Sequence, residues 1–366
     1  MSDILFDPFT INGLTLPNRI AMSAMTRGFS TGGVPGPDVA AYYRARAAGG
    51  VGLIITEAVA VDRPGASELP GIPTFHAPGA TAGWETVLAA VHEAGGRIAA
   101  QLHHAGALRM AATSAHPDAP NDEPATMSEA DIADTIAAFG TAAAAARRLG
   151  FDALEIHGAN GNLINQFLWS GRNTRGDAWG GDVASRTRFA VAVTQAVRAA
   201  VGPDFPILFR ISQFSQEDYA AKIAETPDEF ATILGALVDA GADAFHASQR
   251  RFWEPQFTGS ALNLAGWAKK LSGKPAITVG SVGLKGPDVG DLIAGQGGNA
   301  GPAGLSELRA RIERGEFDMI AVGRALLTDP EWASKVRENR LDDLRGFELA
   351  SLGRLVIEDA PATAAA

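Results

Sequence analysis

The amino-acid sequence predicts an α/β fold, a TIM (β/α)₈ barrel with an N-terminal β-hairpin and enlarged βα loops. Three observations carry this prediction. Eight short apolar runs are each bounded by Gly, Pro or Asp, as strands buried on both faces should be. Longer alanine-rich stretches of helical period separate them, and regular alternation of the two implies a parallel sheet. Length beyond the roughly 250 residues of a minimal barrel falls in a few loops rather than in a block of its own.

The elements follow in chain order. Phe9–Leu16 carries Asn12-Gly13 between alternating apolar residues, the strongest short-range hairpin signal, and is placed to plug the bottom of the barrel. Strands are expected at Asn18–Ala24, Val51–Val61, Arg97–His104, Ala153–Gly158, Pro206–Ser212, Ala242–Ser248, Pro275–Val282 and Asp318–Gly323. Thr81–Glu93 sets Trp84, Val87, Leu88 and Val91 at helical spacing. Ser128-Glu129-Ala130-Asp131 reads as a capping box opening a helix that runs to Leu149. Thr226-Pro227-Asp228-Glu229 reads as another, with Pro at the first helical position. Asp329-Pro330-Glu331 should open the eighth helix by the same logic. Gly95-Gly96, Gly150 and Gly241 punctuate the helix-to-strand returns. The enlarged loops are Gly106–Met127, Ala159–Val183, Gln249–Leu262 and Gly283–Gly304, after the third, fourth, sixth and seventh strands. Such barrels build their sites there. No repeat or low-complexity linker intervenes, so residues 1–366 read as one domain.

Composition narrows the function. The net charge of −10, with no basic run, disfavours nucleic acid and anionic membrane as partners. No apolar run reaches the ~18 residues of a membrane span. The start MSDILFDPFT lacks a basic segment followed by an apolar one, so a cytoplasmic location is expected. The chain has no cysteine, which excludes thiolate catalysis, zinc–thiolate sites and cysteine-ligated iron–sulfur clusters. A small-molecule substrate is the expected partner, and a homo-oligomer is left open.

Several strand ends carry polar groups. The fourth strand ends in His157-Gly158-Ala159-Asn160, two donors able to share one carbonyl oxygen on which negative charge develops. A satisfied buried pair would look the same in sequence. Gln101 ends the third strand, its amide suited to an N–H/C=O edge such as a flavin pyrimidine. Arg210, on the fifth, is a permanent cation that could face an electron-rich ring edge. Val279-Gly280-Ser281 and Val322-Gly323-Arg324 follow the seventh and eighth strands, the usual phosphate site of this fold, where glycines admit backbone N–H groups and Arg324 adds charge. His103, His104, His157 and His246 also lie near strand C-termini. Alternation sends His103 and His104 to opposite sides, and no carboxylate accompanies the four at a metal-binding spacing, so no metal is expected.

The opening LFDPFTINGLTLPNRIAMSAMTR, then GLIITEA, QLHHAG, FDALEIHGANGNLINQFL, NTRGDAWGGDVASRTRF, ITVGSVG and DMIAVGRALLTDPEW, occur in an order that resembles the Old Yellow Enzyme family from Leu5 to about Arg340. The resemblance implies bound FMN, with NADH or NADPH as hydride donor, and reduction of electron-poor C=C bonds in a ping-pong cycle. It implies that Thr26 bonds the flavin O4/N5 region, that Ala24, Met25 and Ala58 line the ring and that Gln101 and Arg210 bind its pyrimidine edge. Gly280, Ser281, Gly323 and Arg324 would hold the phosphate, while His157 and Asn160 would take the substrate carbonyl. One departure matters. The family motif usually continues HGANGY, its Tyr supplying a proton, whereas this chain has Asn162, and an amide is far too weak an acid. His103, two residues after the flavin glutamine, is a second departure. His103 and His246 are therefore expected at the substrate as replacement donors, beside water, with Tyr219 a further alternative. An FMN-dependent dehydrogenase or isomerase, or a non-enzymatic flavin- or phosphate-ligand-binding barrel, remains as an alternative.

Overall fold

The computed structural model describes residues 3–109, 121–284 and 304–355. A two-stranded hairpin, β1 (Phe9–Ile11) and β2 (Leu14–Leu16), precedes a closed barrel. The barrel strands are β3 (Ile20–Met22), β4 (Leu53–Ala60), β5 (Ile98–His103), β6 (Ala153–Asn160), β7 (Ile207–Ser215), β8 (Ala244–Ser248), β9 (Ala276–Val279) and β10 (Met319–Val322). They pair in sequence order, and β10 closes on β3 in parallel register. Helices α1 (Pro37–Ala48), α2 (Ala80–Glu93), α3 (Glu129–Leu149), α5 (Val183–Val201), α6 (Pro227–Ala240), α7 (Leu264–Ser272) and α8 (Leu305–Glu313) lie between strands. Short helices α4 (Leu163–Leu168), α9 (Ala325–Thr328) and α10 (Trp332–Arg337) complete the described set, and none of the described helices is long and apolar enough to cross a membrane.

Asn12 and Gly13 both take positive φ, the geometry a two-residue hairpin needs. The hairpin's Ile11 and Leu16 pack with Leu53, Ile55, Ala99, Ala153, Leu208 and Ala244 in an inner apolar cluster. These residues sit near strand starts, so the hairpin closes that end of the barrel. Strand alternation then sets the next layer. Along β6, Ala153, Glu155 and His157 step up the interior in twos, with Gln101 level with Glu155, and Arg210 level with His157 and His246. The interior thus runs from an apolar base through a polar layer to the C-terminal mouth.

Ser128 and Asp131 form the reciprocal capping box at α3. At α6, Thr226 caps Glu229 N as expected, but Glu229 Oε2 reaches back to Glu225 N. The eighth-helix expectation is corrected. α10 starts at Trp332 behind Glu331 without a side-chain cap, because Asp329 is buried in an ion pair with Lys335 (2.9 Å). The expected loop Ala159–Val183 contains α4, and β4 is followed by a long loop, 61–79, that was not anticipated. Parts of two expected loops, 110–120 and 285–303, lie outside the described residues.

Candidate active site

The C-terminal mouth holds a cavity of about 850 Å³. Of the expected site residues it gathers Ala24, Met25, Thr26, Ala58, Gln101, His103, His157, Asn160, Asn162, Arg210, Gly280, Ser281, Gly323 and Arg324 in its wall. His246 is not among them. It is fully buried, turned onto Glu155 instead of the cavity, so the expectation that it meets substrate is corrected.

The floor is a buried polar network. Glu155 accepts from Gln101 Nε2 at 2.7 Å through one oxygen, and its other oxygen lies 2.6 Å from His246 Nδ1. Burial opposes ionisation of Glu155, but His246, the Arg210 guanidinium and the Gln101 amide outweigh it and hold the carboxyl below its usual range. Burial also pushes His246 down. The pair is therefore a carboxylate accepting from a neutral imidazole's Nδ1–H. With Nε2 tied to Glu155, Gln101 has its Oε1 left for a ligand, and Arg210 brings a buried cation whose Nε has no partner among the described residues.

The upper wall is set by short contacts. Arg210 Nη1 donates to the Ala24 carbonyl at 3.2 Å and Nη2 lies 3.5 Å from Ser248 Oγ. Ser248 Oγ in turn donates to Asn160 Oδ1 at 3.0 Å. An amide whose oxygen is so occupied is left with Nδ2 as its free end, a donor. Asn160 itself sits at φ 61°, its N–H donating to Ser212 Oγ at 2.7 Å, where the ladder with β7 shifts register. His157 stands beside it, pushed well below the usual imidazole range by burial and then by the Arg210 guanidinium, hence neutral. His103 Nε2 lies 2.8 Å from Glu68 Oε2, and its ring stacks on His157 with centroids 5.7 Å apart. His104 points away, 3.0 Å from Asp122, as alternation predicted.

The other end of the cavity suits a phosphate. Gly280 has φ 144°, and a Cβ there would come within 2.5 Å of the Gln249 carbonyl oxygen. Only glycine fits this cradle. Ser281 follows at φ 53°, its Oγ donating to the Arg250 carbonyl. Arg324 precedes the short helix α9, matching the phosphate sites that such barrels form with a short extra helix. A glycine-lined anion cradle, a buried cation and an amide edge along one cavity fit a flavin mononucleotide. Behind the Met25-Thr26 wall, Glu57 sits at a bulge in β4 and accepts from the N–H groups of Arg27 and Gly28, both at 2.8 Å. Burial pushes its carboxyl up to about 7 against those bonds.

Sequence reasoning missed Glu68 and Leu69, which enter from the 61–79 loop, and Glu155 in the floor. The inward alternation of Glu155 with His157 was a signal available for the latter. For Glu68 there was none, because loop residues have no periodicity.

A profile of the NADH:flavin oxidoreductase / NADH oxidase family matches residues 4–300. The chain is 32% identical to an NADH oxidase of Thermoanaerobacter brockii over 95% of its own length, and spans about half (53%) of that protein. It is 30% identical to an NADPH dehydrogenase of Clostridium acetobutylicum, covering 94% of this chain and 99% of the relative. Its fold superposes on that of morphinone reductase with a TM-score of 0.77 and 26% identity, over 96% of this chain and 93% of the other. The barrel and these likenesses together place the chain in the NADH:flavin oxidoreductase / NADH oxidase family, the Old Yellow Enzyme flavoproteins, whose cofactor is FMN.

Proposed function

We propose that the chain is an ene-reductase that reduces activated C=C bonds, as in enones and nitroalkenes, at the expense of NADH or NADPH. The observation that carries this reading is the pairing of Asn160 with His157 in the cavity wall, the Asn160 amide turned by Ser248 so that Nδ2 is the donor. Two neutral donors on one oxygen stabilise the negative charge that builds there when hydride adds to the conjugated carbon. When bound, FMN would supply that hydride, drawn from NADH or NADPH. Gln101 and Arg210 would orient the ring edge, and Gly280, Ser281, Gly323 and Arg324 would hold the phosphate.

The proton for the second carbon needs another source, since Asn162 is no acid. Of the two histidines expected there, His103 lines the cavity and His246 does not. The Glu68 carboxylate lies 2.8 Å from His103 Nε2 and holds the ring, whereas His246 is committed to Glu155. We assign proton delivery to His103, with Glu68 holding its ring. The test is anaerobic mixing of the reduced holoprotein with cyclohexenone. Reoxidation supports the reading; persistent reduction would shift it to an FMN-dependent dehydrogenase or isomerase, or to a non-catalytic binding barrel.

A further inference from the structure

The short helix behind the phosphate end of the cavity is held from outside the cavity. Helix α9 follows directly on Gly323 and Arg324 in the wall, so its placement sets where those two residues stand. A helix of one turn leaves its last carbonyls without intrahelical donors. For Leu326 the shortage is built into the sequence, because the residue four positions on is Pro330, which has no N–H. Arg46, on α1, supplies the donors. Its Nε and Nη2 lie 3.1 and 2.8 Å from the Leu326 carbonyl oxygen, and Nη2 lies 3.2 Å from that of Leu327. Nη1 donates to the Tyr42 carbonyl at 2.9 Å, and the guanidinium sits 3.8 Å from the centroid of the Tyr42 ring.

This cation is costly where it stands. Arg46 is buried, burial pushes its pKa down, and among the described residues no carboxylate pairs with it. What the site demands is a rigid planar fork for two adjacent carbonyls, which arginine has and lysine lacks. The end of α1 meets the same turn again at Gly49, where a Cβ would collide with the Pro330 carbonyl and whose own carbonyl accepts from Ser334 N at 3.0 Å. We propose that Arg46 is a positioning residue for the cofactor's phosphate, anchoring α9 to α1 and so fixing Gly323 and Arg324 without itself touching the cofactor. The inference rests on the reading of the Gly280–Arg324 end of the cavity as the phosphate site.

The experiment titrates the FMN-free protein with FMN and with riboflavin, which differ only in the phosphate, and follows quenching of flavin fluorescence. Wild type should prefer FMN. Arg46→Met should weaken FMN binding about ten- to a hundredfold, the scale of a charge-assisted hydrogen bond, and leave riboflavin binding within about twofold. Arg46→Lys keeps the charge but offers one nitrogen to two carbonyls, and should show the same selective loss in smaller measure. Adding Arg324→Ala to Arg46→Met should cost less than the sum of the single effects, because both act on one contact. Parallel loss of both flavins, an unchanged preference for FMN, or failure of both Arg46 variants to fold would overturn the proposal, since Arg46 would then serve the barrel at large. A wild type that binds the two flavins equally, or neither, would instead refute the phosphate site on which the inference stands.

Discussion

Glu155→Gln isolates the charge of the cavity floor, because the amide has nearly the shape of the carboxylate it replaces. The carboxylate has an oxygen for each of two donors, Gln101 Nε2 at 2.7 Å and His246 Nδ1 at 2.6 Å. A glutamine keeps one oxygen and turns an NH₂ toward the other donor, so one bond becomes a donor–donor contact. Hydrogen bonds to a charged group contribute about 1.5–3 kcal/mol each. The substitution also removes the buried anion whose charge offsets the burial of the Arg210 guanidinium, the one such carboxylate acting on it among the described residues. Breaking a buried charge pair by removing one partner costs about 3–5 kcal/mol. These two effects overlap, so the expected loss is about 3–5 kcal/mol in total. Urea denaturation of the FMN-free protein at constant slope measures it, and the same titration with saturating FMN should show a further loss as Gln101 turns away from the ring edge. A loss below about 1 kcal/mol in the FMN-free protein would refute the account of the floor as a charge-dependent network.

Other substitutions test the remaining parts. Gly280→Ala forces a Cβ toward the Gln249 carbonyl at a strained φ and should weaken FMN binding roughly tenfold to a hundredfold, read by flavin release on dilution. Arg324→Ala should weaken retention by about 2–3 kcal/mol, the scale of a lost charge-assisted bond. A para-substituted phenol should bind the oxidised holoprotein as phenolate with a long-wavelength charge-transfer band; the His157→Ala/Asn160→Ala double variant should lose the band and keep the flavin. Because Glu57 is pushed from 4.5 up to about 7 in the fold, the folded state binds the extra proton between those values. Its contribution, about 3 kcal/mol, is therefore fully present below pH 4.5 and lost as pH rises through 7, and Glu57→Gln should flatten that slope in denaturation curves. His103→Ala should slow enone-driven reoxidation about 10²–10⁴-fold, the usual scale of a positioned acid, while leaving reduction by NAD(P)H unchanged; equal slowing by Tyr219→Phe would move the assignment to Tyr219.

The sequence by itself determined the barrel and much of the cavity wall. Eight apolar runs fix eight strands, and a period of two fixes which side chains point inward, so His157, Gln101 and Arg210 could be placed at the mouth from their positions along single strands. Asn12-Gly13 fixed the hairpin because only two positive φ values close so short a turn. What the tertiary structure alone decided are pairings between groups distant along the chain. Glu155 and His246 are 91 residues apart, and nothing local says that their contact holds His246 in the buried floor and out of the cavity wall. Glu68 reaches His103 from a loop without periodicity, and Ser248 turns the Asn160 amide from 88 residues away. Asn162 was legible as the missing acid, but its bond to His157 depends on a helix-start geometry that the residue type alone would assign to capping. Periodicity records the direction of a side chain; which partner it meets depends on how strand register, bulges and loops bring separate segments together.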